Sequence, residues 1–330
     1  MFFPECSKKF KQIIAQLNGC NVAVIGHIRP DGDCVGSQVA LCRVLNQSGI
    51  SAIAINKDSV PRTLLPFIGD TPWSKPNGYT SKTHVAIHVD CADSVRCGIA
   101  IREAFPNVLV NIDHHISNKG YAEWDLMEDY TSATAEILAG IFLDLDLPID
   151  SVTAQALYIG IATDTGQFRF PSTSPQVFKI CSELMDRGAN PNRAAQVLYE
   201  NQTFNRVKLL QLFLKSLRLE CRGRVCIGQL TDADYAQTRA LREDSEGFVD
   251  YARSVQDVDI GIIMEERDGS IKCSLRSKRS QFRVDKLAQV FGGGGHACAA
   301  GLNQKSESLD TFYAVLLKAL IAHLTTIGSS

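Results

Sequence analysis

Residues 22–37 read VAVIGHIRPDGDCVGS. The apolar run 22–25 stops at Gly26 and gives way to His27, Asp31 and Asp33, with Pro30 and Gly32 breaking regular structure between them. That is the punctuation of a strand that ends, turns and hands over to a helix. The helix is predicted over 34–47, where Val35, Val39, Leu41, Cys42 and Leu45 face a core. Its N-terminus points back at the polar cluster, which favours a bound anion. One imidazole and two carboxylates this close in sequence suit a divalent cation of hard-to-borderline character. The plainer alternative is a polar turn in which Asp33 caps the helix.

Outward from this stretch the same pattern recurs. A leading helix is predicted over 10–17, a second strand over 51–56, and an irregular Pro- and Gly-rich excursion over 58–79. The strand HVAIHV, 84–89, ends on Asp90, and a strand over 108–112 ends on Asp113, His114 and His115. Open parallel sheets place their sites beyond the carboxyl ends of the strands, so three strands finishing in ligand-type residues point to one site. A helix over 132–143, capped by Thr131 or Ser132, is followed by one over 152–162 that runs into TDTGQFR, 163–169. Asp164 in that run reads alone as a cap or turn residue, and beside the other clusters as a further ligand. A helix over 174–187 ends at Gly188.

A length of 330 residues suits two domains, and 45% hydrophobic with 21% charged residues is ordinary for a globular chain. A net charge of -2 argues against bulk attraction to long duplex nucleic acid. The start MFFPECSKKF shows no basic leader with an apolar segment behind it, and no apolar run is expected to reach a membrane span. The expected setting is cytoplasmic, where eleven cysteines stay reduced as small buried hydrophobes. Cys91 with Cys97, or Cys221 with Cys226, could form a zinc pair, but no second pair stands at finger spacing.

The region 194–217 reads as an amphipathic helical connector with Arg206, Lys208 and Lys215 on its polar side. Beyond it, strands near 219–231, 259–265 and 271–275, and helices over 284–291 and 309–324, form an α+β module with its own core. Four consecutive glycines, Gly292, Gly293, Gly294 and Gly295, precede His296. Such a run is costly in chain entropy, so it reads either as a nest of backbone N–H groups for a phosphate or as a hinge. Upstream, Lys272, Arg276, Lys278, Arg279, Arg283 and Lys286 stand against one acid, Asp285. Arg276 is the best candidate for a phosphate fork, while Lys278 and Arg279 also fit a solvated face.

With these residues in view the chain resembles the DHH phosphoesterase family, named for the triplet Asp113-His114-His115. The pattern HxxPDGDxxGS at 27–37, the strand-end Asp90, the triplet and TDTGxFR at 163–169 match in order, and GGGGHxxAAG at 292–301 resembles the DHH-associated C-terminal domain. The stretch EGFVDYARS, 246–254, is similar to the bacterial nanoRNase and pAp-phosphatase branch. The resemblance implies an α/β fold: an N-terminal DHH domain over 1–189 with a mainly parallel sheet flanked by helices, a helical linker over 190–215, and a smaller α+β substrate-binding domain over 216–330. It implies two divalent metal ions, manganese by preference with magnesium or cobalt as substitutes. His27, Asp31 and Asp90 would hold one ion, and Asp33, Asp90, His114 and Asp164 the other. His115 would face the substrate phosphate with Asp113 behind it, and Arg276 with Gly292 to His296 would grip the far nucleotide. Cys34 and Cys91, which flank ligands, would make activity sensitive to oxidation or thiophilic metals.

The expected reaction is hydrolysis of very short oligoribonucleotides to mononucleotides, and of 3'-phosphoadenosine 5'-phosphate (pAp) to AMP and phosphate, with two ions activating a bridging hydroxide. Short single-stranded RNA, dinucleotides or a nucleoside bisphosphate are the expected partners, with no membrane and no long duplex, and a homodimer is compatible. The rivals are a cyclic-dinucleotide phosphodiesterase with the same ligands and, from another class, a non-catalytic nucleotide sensor. Pyrophosphatases lack the second module, and long-strand exonucleases carry more modules than this chain has room for.

Overall fold

The computed structural model describes residues 1–267, 269–305 and 308–328, with the side chain of His296 outside that description. The chain divides into two compact units, Met1–Asn201 and Gln202–Ser330.

In the first unit, α1 (Pro4–Gln16) leads into β1 (Asn21–Ile25), α2 (Gly32–Gln47) and β2 (Ser51–Ile55). A short β3 (Trp73–Ser74), β4 (Val85–Val89), α3 (Ile99–Ala104), β5 (Val110–Asp113) and β6 (Trp124–Met127) follow, and α4 (Thr134–Asp144), α5 (Ser151–Asp164), α6 (Pro175–Asp186) and α7 (Pro191–Tyr199) complete the unit. The six strands are all parallel, in the order β3-β2-β1-β4-β5-β6. Their order reverses between β1 and β4, the switch point at which open α/β sheets form sites. The register pairs Ile25 with His88 and Val89 with Ile112, so the residues following β1, β4 and β5 emerge side by side.

Helices α2 and α5 are buried along most of their length, as helices apolar on every side must be. They cross closely because Gly36 carries no side chain: a Cβ there would stand 2.3 Å from the carbonyl oxygen of Ala156. This contact brings the start of α2, with Asp33, against the helix that ends in Asp164.

In the second unit, α8 (Phe204–Lys215) is followed by β7 (Arg218–Glu220), β8 (Val225–Leu230), α9 (Asp232–Thr238) and α10 (Phe248–Ser254). Strands β9 (Ile260–Arg267) and β10 (Ser270–Ser277), then α11 (Val284–Gln289), β11 (Gly294–His296), β12 (Ala299–Lys305) and α12 (Leu309–Gly328) close it. The sheet runs β11-β12-β10-β9-β8-β7. Alternation along its strands serves two cores: Val225, Ile227, Ile262 and Met264 pack with α11 and α12, while Cys226 and Ile263 pack with α8, α9 and α10.

Several expectations change. The connector predicted over 194–217 is two helices, α7 in the first unit and α8 in the second, and Arg206 is not on a solvated face. Its guanidinium binds the carbonyls of Asp244 and Glu246 and lies over the ring of Phe248. The predicted absence of any membrane-length apolar run is also corrected, because residues 309–327 are long and apolar enough by composition. Leu309, Phe312, Leu316, Leu320 and Leu324 of that helix, spaced three and four apart, form a stripe on the sheet of the second unit. The strand β6, the helices α9 and α10, and the length of β12 carry no strong period in sequence and went unread.

Candidate metal centre

His27 lies just beyond β1, and its Nδ1–H donates to the carbonyl of Ile28 at 2.8 Å. This fixes Nε2 as the free nitrogen, buried without a hydrogen-bond partner and 3.2 Å from Oδ2 of Asp90. Asp31 Oδ1 stands 3.7 Å from the same nitrogen. Asp31, not Asp33, caps α2, by accepting the N–H of Cys34 at 3.1 Å. The cap reading of Asp33 is thereby corrected: its fully buried carboxylate accepts the N–H groups of Thr134 and Ala135, at 2.7 and 2.8 Å. It thus caps α4 from outside that helix, whose own Ala133 offers no side-chain cap. Thr131 and Ser132, predicted as caps, bind Glu128 and Glu136 instead.

Asp90 follows β4 in the left-handed region, at φ 57°. Its Oδ1 lies 3.7 Å from His114 Nε2 and 3.6 Å from His115 Nδ1, while Oδ2 faces His27. One carboxylate therefore stands between His27 on one side and His114 and His115 on the other. His114 Nε2 is also 3.4 Å from Asp164 Oδ2 and 3.9 Å from Asp33 Oδ2. His27, Asp31, Asp33, Asp90, His114 and Asp164 thus converge, from two strand ends, the loop after β5, the start of α2 and the end of α5.

The crowded carboxylates perturb one another. Burial, and then the charges of Asp90 and Asp31, push the Asp33 carboxyl well above its ordinary range. Burial and the neighbouring acids Asp33, Asp31 and Asp90 do the same to Asp164. Burial works against a proton on His27, yet Cys34, Asp31 and Asp90 draw one in on balance. Divalent cations would replace those protons, and the mixed oxygen and nitrogen donors suit them. The orphaned His27 Nε2 is the atom that such an ion would satisfy.

His115 is held differently. Its Nδ1–H donates to Asp113 Oδ1 at 2.7 Å, leaving Nε2 to accept from Arg96 Nη1 at 2.9 Å. Asn118 fixes the other oxygen of Asp113, at 2.7 Å. After the opposing effect of burial, the bonds from His115 and Asn118 hold Asp113 below the ordinary carboxylate range. Arg96 and Asn118 escaped the sequence reading. Asn118 follows the triplet closely enough to have been noticed; Arg96 lies in a loop with no local signal.

The predicted substrate residues lie in the second unit. Arg276 is half-buried at the end of β10, its Nη1 bonded to the carbonyl of Leu275 at 3.0 Å, and burial lowers the guanidinium from its ordinary value. Most of the basic run is internally engaged: Lys278 donates to the carbonyl of Val255, Arg279 pairs with Asp259, and Arg283 pairs with Asp285. The glycine run is not a free hinge. Gly292, at φ 71°, ends α11 with its N–H on the carbonyl of Gln289, and the Gly293 N–H returns to Ala288. A Cβ on Gly293 would meet the Gly301 oxygen at 2.4 Å, and one on Gly295 the Ala299 oxygen at 2.4 Å. Within the run, a Cβ on Gly292 or Gly294 would meet open space, and of these two only Gly294 is free of a positive φ. Of His296, the backbone lies in β11 and the side chain is outside the described part.

Residues 21–161 match the DHH family, N-terminal domain, and residues 225–322 match the DHHA1 domain. The chain is 28% identical over 308 residues to the bifunctional oligoribonuclease and PAP phosphatase NrnA of Thermus thermophilus, covering 93% of this chain and 91% of that one. It is 25% identical over 284 residues to the protein of the same name from Bacillus subtilis, covering 83% and 86%. Among solved structures, an exopolyphosphatase-related protein from Bacteroides fragilis superimposes with a TM-score of 0.89 at 22% identity over 98% of both chains, which establishes a shared fold.

Proposed function

Because this chain belongs to the DHH family and carries both its N-terminal domain and the DHHA1 domain, we propose that it is a metal-dependent phosphoesterase hydrolysing very short oligoribonucleotides and pAp. The supporting relatives are NrnA-type hydrolases similar over most of the chain. The observation that carries the reading is Asp90, whose two oxygens face His27 on one side and His114 on the other. We assign one divalent cation to His27, Asp31 and Asp90 and a second to Asp33, Asp90, His114 and Asp164, with manganese as the preferred metal. When bound, the cations supply Lewis-acid activation of water and neutralise charge on the phosphoryl oxygens.

The protein's own residues perform the rest. Asp113 keeps the His115 proton on Nδ1, so Nε2 accepts from Arg96 and orients its guanidinium, whose remaining N–H groups donate to a phosphoryl oxygen. Asp33 is fixed by two backbone N–H groups of α4 and cannot swing away. Arg276 supplies a partly desolvated cation for a second phosphate, and Gly294 an unobstructed backbone for the nucleotide. The setting is the cytoplasm, where the resting state of the thiols is reduced.

A manganese-supplemented panel of a linear diribonucleotide, pAp, cyclic di-AMP, pyrophosphate and long single-stranded RNA tests this. Fastest turnover of the linear dinucleotide, together with release of phosphate from pAp, is the expected result. Fastest turnover of cyclic di-AMP overturns the substrate assignment, and no turnover of any compound overturns the reaction.

A further inference from the structure

Beside the centre lies a grouping that the hydrolytic reading does not use. Cys91 Sγ and Cys97 Sγ are 3.5 Å apart, both fully buried. His88 Nδ1 is 3.5 Å from the Cys97 sulfur and 3.0 Å from the hydroxyl of Tyr121, which also donates to the Cys91 carbonyl at 3.1 Å. The three side chains lie within reach of one another, and these are the two sulfurs in contact among the described residues. Ile25, Ile55, Ile101 and Phe105 belong to the same buried cluster as the two cysteines. A disulfide needs the sulfurs about 1.5 Å closer, toward about 2.05 Å.

We propose that Cys91 and Cys97 are a reversible dithiol–disulfide pair, oxidised by small peroxides, whose closure weakens divalent-cation binding at Asp90. The effect on the cation rests on the phosphoesterase reading; formation of the disulfide does not. The coupling follows from the chain. Cys91 is bonded to Asp90, already in the left-handed region at φ 57°. Cys97 is bonded to Arg96, whose carbonyl accepts the Ile28 N–H at 2.8 Å and whose side chain holds His115. Drawing the sulfurs together therefore pulls on both fastened ends of the 91–97 loop.

The chemistry balances. The Cys97 thiolate attacks one peroxide oxygen; the O–O bond breaks, and the departing hydroxide takes the thiol's proton as water, leaving a sulfenic acid. The Cys91 sulfur then attacks that sulfur; the S–O bond breaks, and the second hydroxide leaves with the Cys91 proton. Two thiols lose two electrons, and peroxide becomes two waters. The hydrogen bond from Cys91 lowers the Cys97 thiol against the opposing effect of burial, which favours Cys97 as the first nucleophile. Access comes through the single 3-10 turn Ser94–Cys97, where Val95 is exposed. Opening of so small a segment admits peroxide more readily than a bulky disulfide.

The test uses the full chain. Trypsin cuts after Lys82, Arg96 and Arg102, so the thiols fall in separate peptides, 83–96 and 97–102, that join only through a disulfide. After peroxide treatment, the joined peptide is expected, two hydrogens lighter than the sum. Manganese affinity, read by electron paramagnetic resonance of free Mn2+, is expected to fall about 10-fold and to recover with dithiothreitol. Cys97→Ser, with Cys97→Ala as the second variant should the first not fold, is expected to bind Mn2+ equally before and after peroxide. The proposal is overturned by no joined peptide, by a joined peptide with unchanged Mn2+ affinity, by an equal loss in a folded Cys97 variant, or by zinc co-purifying with these thiols protected. A reduced protein that hydrolyses nothing yet shows the joined peptide and the Mn2+ change would remove the phosphoesterase reading alone.

Discussion

The guanidinium of Arg96 stands 2.9 Å from Nε2 of His115. With Asp113 holding the other ring nitrogen, His115 has one tautomer and one orientation. Arg96→Ala is expected to lower kcat about 100-fold, in the range typical of losing one donor to a developing anion. Mn2+ affinity should not change, because Arg96 is outside the proposed ligand set. A rise in KM at unchanged kcat would make Arg96 a simple binding residue.

Crowding of acids makes the centre a liability without its ions. The folded-state carboxyl of Asp164 is raised by burial and by Asp33, Asp31 and Asp90. A raised folded value means that its contribution to stability is fully present below the unfolded carboxyl value, about 3.9, and lost as pH rises through the folded value. In protein stripped of divalent cations, Asp164→Asn should therefore gain little near about pH 4 and progressively more toward about pH 8. A gain of about 1 kcal/mol corresponds to about 2–4 °C in Tm. A Tm difference that does not vary with pH contradicts the electrostatic account.

The glycines separate structural from functional need. Gly293→Ala should cost about 1–3 kcal/mol, because the new methyl meets the Gly301 oxygen and Leu302. Gly294→Ala should leave Tm nearly unchanged while raising KM for a dinucleotide. Thermal unfolding and steady-state kinetics on both variants check this, and equal Tm losses would remove Gly294 from the substrate contacts.

Arg276→Ala should raise KM more than it lowers kcat, because a contact made equally in ground and transition states affects binding alone. An unchanged KM for both a dinucleotide and pAp would show that the half-buried guanidinium serves the fold of the second unit.

The first unit was legible because its strands announce themselves: apolar runs that stop at His27, Asp90 and Asp113 follow directly from burial on both faces of a parallel sheet. Gathering those ends required only the strand order. The capping logic was not legible, because Asp33 serves α4, a helix about a hundred residues further on, and local spacing cannot report a tertiary cap. Arg96 was hidden for the same reason. The glycine run was read for its ligand-binding capacity, whereas at Gly293 and Gly295 the need comes from β12, a strand whose pairing made the close approach. The second unit's short helices α9 and α10 offer too few turns to show a period.

The most direct test compares wild type with Asp90→Ala, measuring bound Mn2+ per chain and linear diribonucleotide hydrolysis on the same preparations. The account predicts two ions and rapid turnover in the wild type, with loss of metal binding and of turnover together in a variant that remains folded by circular dichroism. A folded Asp90→Ala protein that still hydrolyses the dinucleotide at the wild-type rate would contradict it.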